Sequence, residues 1–212
     1  YLLGCDDEVA LILAVFVVNH DYELSDFEIL KRTKAAWPSI CNASAEDKNR
    51  ILSAMADSLQ AQCDAILRCN AEDMDAARGH ISDVMLDRLY LDRGRVDAMA
   101  DGIRATVALP DHTGRILAQI DHPNGMKIYK KQVPLGLVAI IYESRPNVTS
   151  DAAALAIKSG NVCMLRSGKE AYRSARAIAK NNNSPTIGWI AGARQYIGTD
   201  DQSNFTAPDF TY

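Results

Sequence analysis

The segment Leu137–Tyr142 (LVAIIY) is an unbroken apolar run. A strand covered on both faces of a sheet is expected to read this way. Helix-start chemistry follows in Asn147-Val148-Thr149-Ser150-Asp151. There Thr149 or Ser150 can cap, and Asp151 favours the positive end of the helix dipole. Ala152–Ile157 continues the helix with small side chains that allow close approach to a sheet, and Lys158 suits its last turn. Gly160 can take the left-handed conformation that ends it. Val162–Leu165 reads as a second apolar strand and Lys169–Lys180 as a second helix. Strand, helix, strand, helix in fewer than fifty residues is a βαβ unit with a parallel sheet, which places the chain in the α/β class.

Upstream the period is helical from Asp26 to about Leu109. Phe27, Ile29, Leu30 and Ala35 predict a short helix that stops before Pro38. Ser44 with Asp47 resembles an N-cap arrangement. Beyond it, Ile51, Leu52, Met55, Leu59, Cys63, Ile66 and Leu67 recur at three- and four-residue steps, one apolar stripe of an amphipathic helix. Shorter helices are expected over Glu72–Arg78 and Ser82–Leu89, and another from about Arg93 to Val107. After Pro110, Arg115–Asp121 and Met126–Val133 alternate polar and apolar side chains around His122-Pro123-Asn124-Gly125, the pattern of a β-hairpin. Asn181-Asn182-Asn183-Ser184-Pro185 reads as a break, and Thr186–Tyr212 as a loosely ordered tail.

Several functional classes are disfavoured. The net charge of −4 comes from 23 basic and 27 acidic side chains without a basic stripe, so nucleic acid is not an expected partner. The five cysteines show no CxxC and the four histidines no ligand spacing, which predicts a reduced, cytoplasmic protein without a structural metal. Val9–Val18 is apolar but too short to span a bilayer, and acidic residues precede it where a secretory signal carries positive charge. Tyr1 is not an initiator methionine, as in a fragment.

A βαβ unit places ligands beyond the carboxyl ends of its strands. Glu143-Ser144-Arg145-Pro146-Asn147 follows the first strand and Arg166-Ser167-Gly168-Lys169 the second. Two arginines, a lysine, a glycine and a helix start suit an anionic ligand. Taken singly, Arg145, Arg166 and Lys169 also read as ordinary surface charges. The GxGxxG fingerprint is absent, so spacing alone gives an anion or nucleotide site at a sheet edge and nothing finer.

Residues 133–171, VPLGLVAIIYESRPNVTSDAAALAIKSGNVCMLRSGKEA, resemble the signature region of γ-glutamyl phosphate reductase, also called glutamate-5-semialdehyde dehydrogenase. AEDKNRILSAMADSL (45–59), MLDRLYLD (85–92) and HPNGMKIYKKQVPLG (122–136) resemble the same family in the same order, so the likeness covers roughly residues 28–180. It implies the aldehyde dehydrogenase superfamily, with N-terminal helices, a β-hairpin and a partial Rossmann-like βαβ unit. It also implies NADPH-dependent reduction of γ-glutamyl phosphate to glutamate-5-semialdehyde in proline biosynthesis. In the family a cysteine thiolate attacks the acyl phosphate, and hydride then reduces the thioester.

By that resemblance Asn147 matches the amide that donates to the developing oxyanion, the less favoured alternative being that it serves only as a helix cap. Arg166 matches the basic residue that reaches the adenosine ribose, and Lys169 is placed for the 2′-phosphate. Glu143, Ser144 and Arg145 would line the cofactor or substrate channel. Four segments follow: residues 1–27, unmatched; 28–132, helices and hairpin; 133–180, a partial NADPH-binding unit; and 181–212, unmatched.

The family's nucleophilic cysteine lies beyond the matched part. Cys163 falls mid-strand, where the family has an aliphatic side chain, and reads as a small core residue. A truncated product, a frame-disrupted end or a chimera would each account for this, and no turnover is expected of such a chain alone. In the superfamily the hairpin joins an oligomerisation sheet, so its edges predict a homo-oligomer or other association. The alternative to a reductase is a non-catalytic module that binds nucleotide or acts by association. Another aldehyde dehydrogenase relative is disfavoured by ESRPNVTSDAA.

Overall fold

Ser44 and Asp47 start the long amphipathic helix that the periodicity predicts. Ser44 Oγ accepts from the Asp47 N–H at 3.1 Å while the Asp47 carboxylate accepts from the Ser44 N–H at 3.3 Å, a reciprocal capping box. The computed structural model describes residues 26–181 and 187–189. The Val9–Val18 run, Cys5 and most of the expected tail lie outside the described residues. Five helices come first: α1 (Asp26–Cys41), α2 (Ala45–Ala61), α3 (Cys63–Ala77), α4 (Asp83–Leu89) and α5 (Arg93–Val107).

Three helical boundaries differ from expectation. α1 runs through Pro38 and ends at Cys41 rather than stopping before the proline. Pro38 removes one backbone donor, but tertiary contacts hold the turn around it: Ile40 is buried, and the Trp37 indole N–H donates to the Gly160 carbonyl at 3.2 Å. The single stripe from Ile51 to Leu67 is broken at Gln62, whose φ of −107° and ψ of 16° redirect the chain between α2 and α3. Residues 72–77 then continue α3 instead of forming a helix of their own. α4 and α5 fall where predicted, capped by Ser82 and Asp92.

β1 (Ile116–Asp121) pairs antiparallel with β2 (Lys127–Lys131), with Ile120 opposite Ile128. The predicted hairpin is therefore present, its turn closed by the His122 N–H to Met126 carbonyl bond at 2.8 Å and by Gly125 at φ +84°. Every residue of both strands is exposed.

β3 (Leu137–Ile141) runs parallel to β4 (Val162–Arg166), with α6 (Asn147–Lys158) between them, so the βαβ unit stands as expected. A single 3₁₀ turn, Lys169–Ala171, leads into α7 (Tyr172–Asn181). Against the reading of an unstructured tail, Ile187–Trp189 forms β5, parallel to β4 on its other side. A three-residue strand is too short to show a period in the sequence. β3, the edge strand of the described sheet, is also not covered on both faces: Ala139 and Ile141, which alternate onto one face, are exposed.

The core lies where the helical region meets the βαβ unit. Leu52, Met55, Ala56 and Leu59 of α2, Val96, Met99, Ala100 and Ile103 of α5, and Ala153, Ala154 and Ile157 of α6 share one buried cluster with Val162, Cys163 and Leu165 of β4. Each large apolar side chain so buried stabilises the fold by about 1.5–3 kcal/mol. Two buried lysines fasten the edges of this core. Lys48 Nζ lies 2.9 Å from the Asp111 carboxylate and 3.1 Å from Thr113 Oγ1. Lys158 Nζ donates to Asn49 Oδ1 at 2.6 Å and to the Val107 carbonyl at 2.9 Å. Gly160 ends α6 at φ +74°, and an added Cβ there would meet Pro134 at 2.9 Å.

Candidate active site

The chain leaves β3 through Glu143–Pro146 and re-enters helix at Asn147. α6 thus begins two residues before the expected caps. Pro146 stands at the N-cap without a side-chain bond, and its missing N–H costs nothing there. Thr149 and Ser150 do not cap. Thr149 Oγ1 is 2.6 Å from the Tyr142 hydroxyl, and Ser150 Oγ donates back to the Asn147 carbonyl at 2.8 Å. Burial pushes the Tyr142 phenol up to about 12, against the lowering effect of the Thr149 bond.

Asn147 is therefore the first residue of α6. Its Nδ2 donates to Asp151 Oδ2 at 3.3 Å, one turn along the same face. Burial raises the Asp151 carboxyl above its ordinary value, and the Asn147 bond offsets only part of that. Both residues open on a cavity of about 360 Å³ between the α4–α5 connection and the start of α6. Arg145, Arg88, Asp87, Arg95, Tyr90, Leu91, Ala98 and Met99 complete its wall.

Arg95 braces that wall. Its guanidinium donates to the Tyr90 carbonyl and to Asp87 Oδ1, both at 2.8 Å, and lies 5.3 Å from the centre of the Tyr90 ring. Next to the cavity, Met85, Arg88, Glu143, Ser144 and Arg145 line a narrow crevice, with Arg88 4.0 Å from the exposed Glu143 carboxylate.

The loops after β3 and β4 touch. Buried Ser144 donates through Oγ to Glu170 Oε2 at 3.0 Å. Gly168 lies directly under this bond: a Cβ would sit 2.9 Å from the Glu170 carboxylate and 3.1 Å from Ser144 Oγ, so a larger residue there would push the bond aside. Arg166, half-buried, ends β4, and its carbonyl accepts from the Tyr142 N–H at 3.0 Å. Lys169 is exposed in the 3₁₀ turn. Neither cation has an ion-pair partner among the described residues, which leaves both free for an anion.

The six residues singled out in the sequence divide into two groups. Asn147 and Arg145 share the cavity, and Glu143 and Ser144 line the crevice beside it. Arg166 and Lys169 stand at the neighbouring strand end and do not line the Asn147 cavity. Sequence reading missed Asp151, Arg88, Arg95 and Asp87 as wall residues. The first was hidden because the expected caps at Thr149 or Ser150 leave Asn147 outside the helix. The others lie in MLDRLYLD and just after it, where only the fold shows which way they face.

Cys163 is fully buried in β4, as expected, and burial pushes its thiol up to about 12. Cys41, Cys63 and Cys69 do not line the cavity. Among the described residues no cluster of three or more histidine, cysteine or acidic side chains could hold a metal ion. No helix among them is long and apolar enough to cross a membrane.

No protein-family model matches the chain. The γ-glutamyl phosphate reductase of Neisseria gonorrhoeae is 60% identical over 149 residues, which are 70% of this chain and 36% of that protein. The chain thus spans about a third of the length of the curated relatives it matches. Among solved structures, γ-glutamyl phosphate reductase from Thermotoga maritima superposes with a TM-score of 0.76 at 31% identity, covering 78% of this chain and 42% of that one. Methylmalonate-semialdehyde dehydrogenase from Oceanimonas doudoroffii reaches a TM-score of 0.58 at 16% identity, with 77% and 33% covered, which extends the fold likeness to aldehyde dehydrogenases.

Proposed function

The matched part of this chain belongs to the γ-glutamyl phosphate reductase family, in the aldehyde dehydrogenase fold, and from that premise we propose that it carries the N-terminal portion of an NADPH-dependent enzyme reducing γ-glutamyl phosphate to glutamate-5-semialdehyde for proline biosynthesis. The observation that carries this reading is the Asn147 amide, set at the first turn of α6 and open to the cavity at the end of β3.

An amide N–H aimed at an acyl oxygen stabilises the negative charge that develops when a nucleophile adds to the carbonyl. Asn147 has two such hydrogens. Asp151 takes one, which fixes the amide plane, and the other remains for substrate. NADPH, when bound, supplies the hydride. Arg166 at the end of β4 is assigned to the adenosine ribose and Lys169 to the 2′-phosphate, and their unpaired charges suit that role. Glu143, Ser144 and Arg145 line the cofactor or substrate channel.

Residues 28–132 form the helical and hairpin part, and 133–180 the cofactor-binding unit. The exposed hairpin is the surface through which copies of the chain associate. A second reading, a nucleotide-binding module without turnover of its own, is favoured by one observation: no described cysteine faces the cavity.

Titration of the purified chain with NADPH and with NADH tests the cofactor assignment. Replacing Lys169→Ala is expected to weaken NADPH about tenfold or more while leaving NADH nearly unchanged, the loss of a charge-assisted contact to phosphate. Equal weakening of both refutes the assignment. Oxidation of NADPH with γ-glutamyl phosphate by the chain alone would eliminate the second reading.

A further inference from the structure

We propose that the cavity beside Asn147 recognises the amino-acid end of the acyl substrate, with Asp151 receiving an α-ammonium group and Arg145 an α-carboxylate. This rests on the proposed reading of Asn147 as oxyanion donor, because that reading fixes where the acyl carbon lies.

The charged groups in the wall are not equivalent. Asp87 and Arg95 neutralise each other at 2.8 Å, and Arg95 is further committed to the Tyr90 carbonyl and ring. Arg88 faces Glu143 at 4.0 Å. Two groups remain. Arg145 has no side-chain partner among the described residues, and the only polar contact of the Asp151 carboxylate there is the neutral amide of Asn147. A half-buried carboxylate without a cation is costly, and a ligand ammonium would remove the cost.

Geometry favours the same assignment. The Asn147 amide nitrogen and the Asp151 carboxylate oxygen lie 3.3 Å apart on one helix face. A ligand with two methylenes between its acyl carbon and its amino-bearing carbon can fold so that its acyl oxygen and its ammonium reach these two groups together. Leu91, Ala98 and Met99 provide the apolar wall such methylenes need. The cavity volume, about 360 Å³, lies within the usual range for small-molecule sites. A plain aliphatic acyl group would leave both free charges unmatched, so the wall selects for a zwitterionic end.

The test is equilibrium binding to the 212-residue chain, followed by nuclear magnetic resonance titration with three stable esters. L-glutamate γ-methyl ester carries both α groups, monomethyl glutarate lacks the ammonium, and methyl 4-aminobutyrate lacks the carboxylate. The amino-acid ester is expected to bind about tenfold more tightly than either truncated probe. Asp151→Asn should erase most of that advantage over monomethyl glutarate while leaving monomethyl glutarate binding unchanged or improved. Arg145→Gln should do the same relative to methyl 4-aminobutyrate.

Equal binding of the three probes to the wild-type chain overturns the proposal, as does no binding of any, or a uniform loss across probes in a folded Asp151→Asn variant. If that variant does not fold, the wild-type comparison alone decides. NADPH titration of the same sample separates the two readings. Intact NADPH binding without probe discrimination sinks only this inference, and discrimination without NADPH binding sinks only the cofactor assignment.

Discussion

At the scale of single residues, Cys163 shows how burial decides chemistry. A thiol pushed up to about 12 by burial stays protonated at any ordinary pH, and a protonated thiol is a poor nucleophile. Iodoacetamide at mildly alkaline pH is therefore expected to leave Cys163 unlabelled in the native chain and to label it after denaturation, as read by peptide mass mapping. Native labelling as fast as that of a free thiol would contradict the buried position. This residue was legible in the sequence because it falls mid-strand, where the resembled family has an aliphatic side chain. Asn147, which lines the cavity, was singled out through the RPN triplet that carries the family resemblance. Asp151 was not, because its sequence position fits a helix-dipole role equally well. Only the true start of α6, at Asn147, turns it onto the same face as the amide. Arg95 was invisible for a different reason: its partners are the backbone and side chains of a connection whose path tertiary packing sets.

Among the elements, the βαβ unit, the hairpin, α4 and α5 could be read from period and caps, because each carries its own local signal. The joints between helices could not. Gln62 breaks a stripe that the apolar spacing leaves continuous, and Pro38 is carried inside α1 by contacts from Gly160 and the core. The start of α7 also depends on a distant element. Asp73, buried in α3, accepts from the Ser174 N–H and hydroxyl, both at 2.7 Å, and from the Arg173 N–H at 3.3 Å. A carboxylate from another helix thus caps the first turn of α7. Alongside it, buried Asn70 accepts from the Leu91 N–H at 2.8 Å and donates to the Leu89 carbonyl at 2.8 Å. Replacing Asp73→Ala leaves those donors buried and unmatched, and should lower stability by about 2–4 kcal/mol. Urea unfolding would measure this, and a change below about 0.5 kcal/mol would refute the capping role.

For the whole molecule, two surfaces are left uncovered by the described residues. Ile141 is 73% exposed on the edge of the parallel sheet. The hairpin presents Ile120 at 58% and Ile128 at 43%, directly opposite each other on adjacent strands. Unpaired strand edges with apolar side chains invite pairing with another chain. The chain is accordingly expected to associate with rising concentration in sedimentation velocity, and Ile120→Lys with Ile128→Lys to shift it toward the monomer. A wild-type chain that stays monomeric throughout would remove the hairpin as an interface. The hairpin itself was readable from alternation and its Asn-Gly turn, but its complete exposure was not, since alternation predicts one covered face.

The link from Asp73 to Arg173 and Ser174 also has a consequence in time. At a ribosomal pace of about 5–20 residues per second, the hundred residues separating Asp73 from Arg173 amount to a wait of several seconds. Throughout it the carboxylate of a helix already made stays hydrated. α7 can dock only once nearly all the matched chain has been synthesised, so this contact closes after the preceding helices and the hairpin are already made.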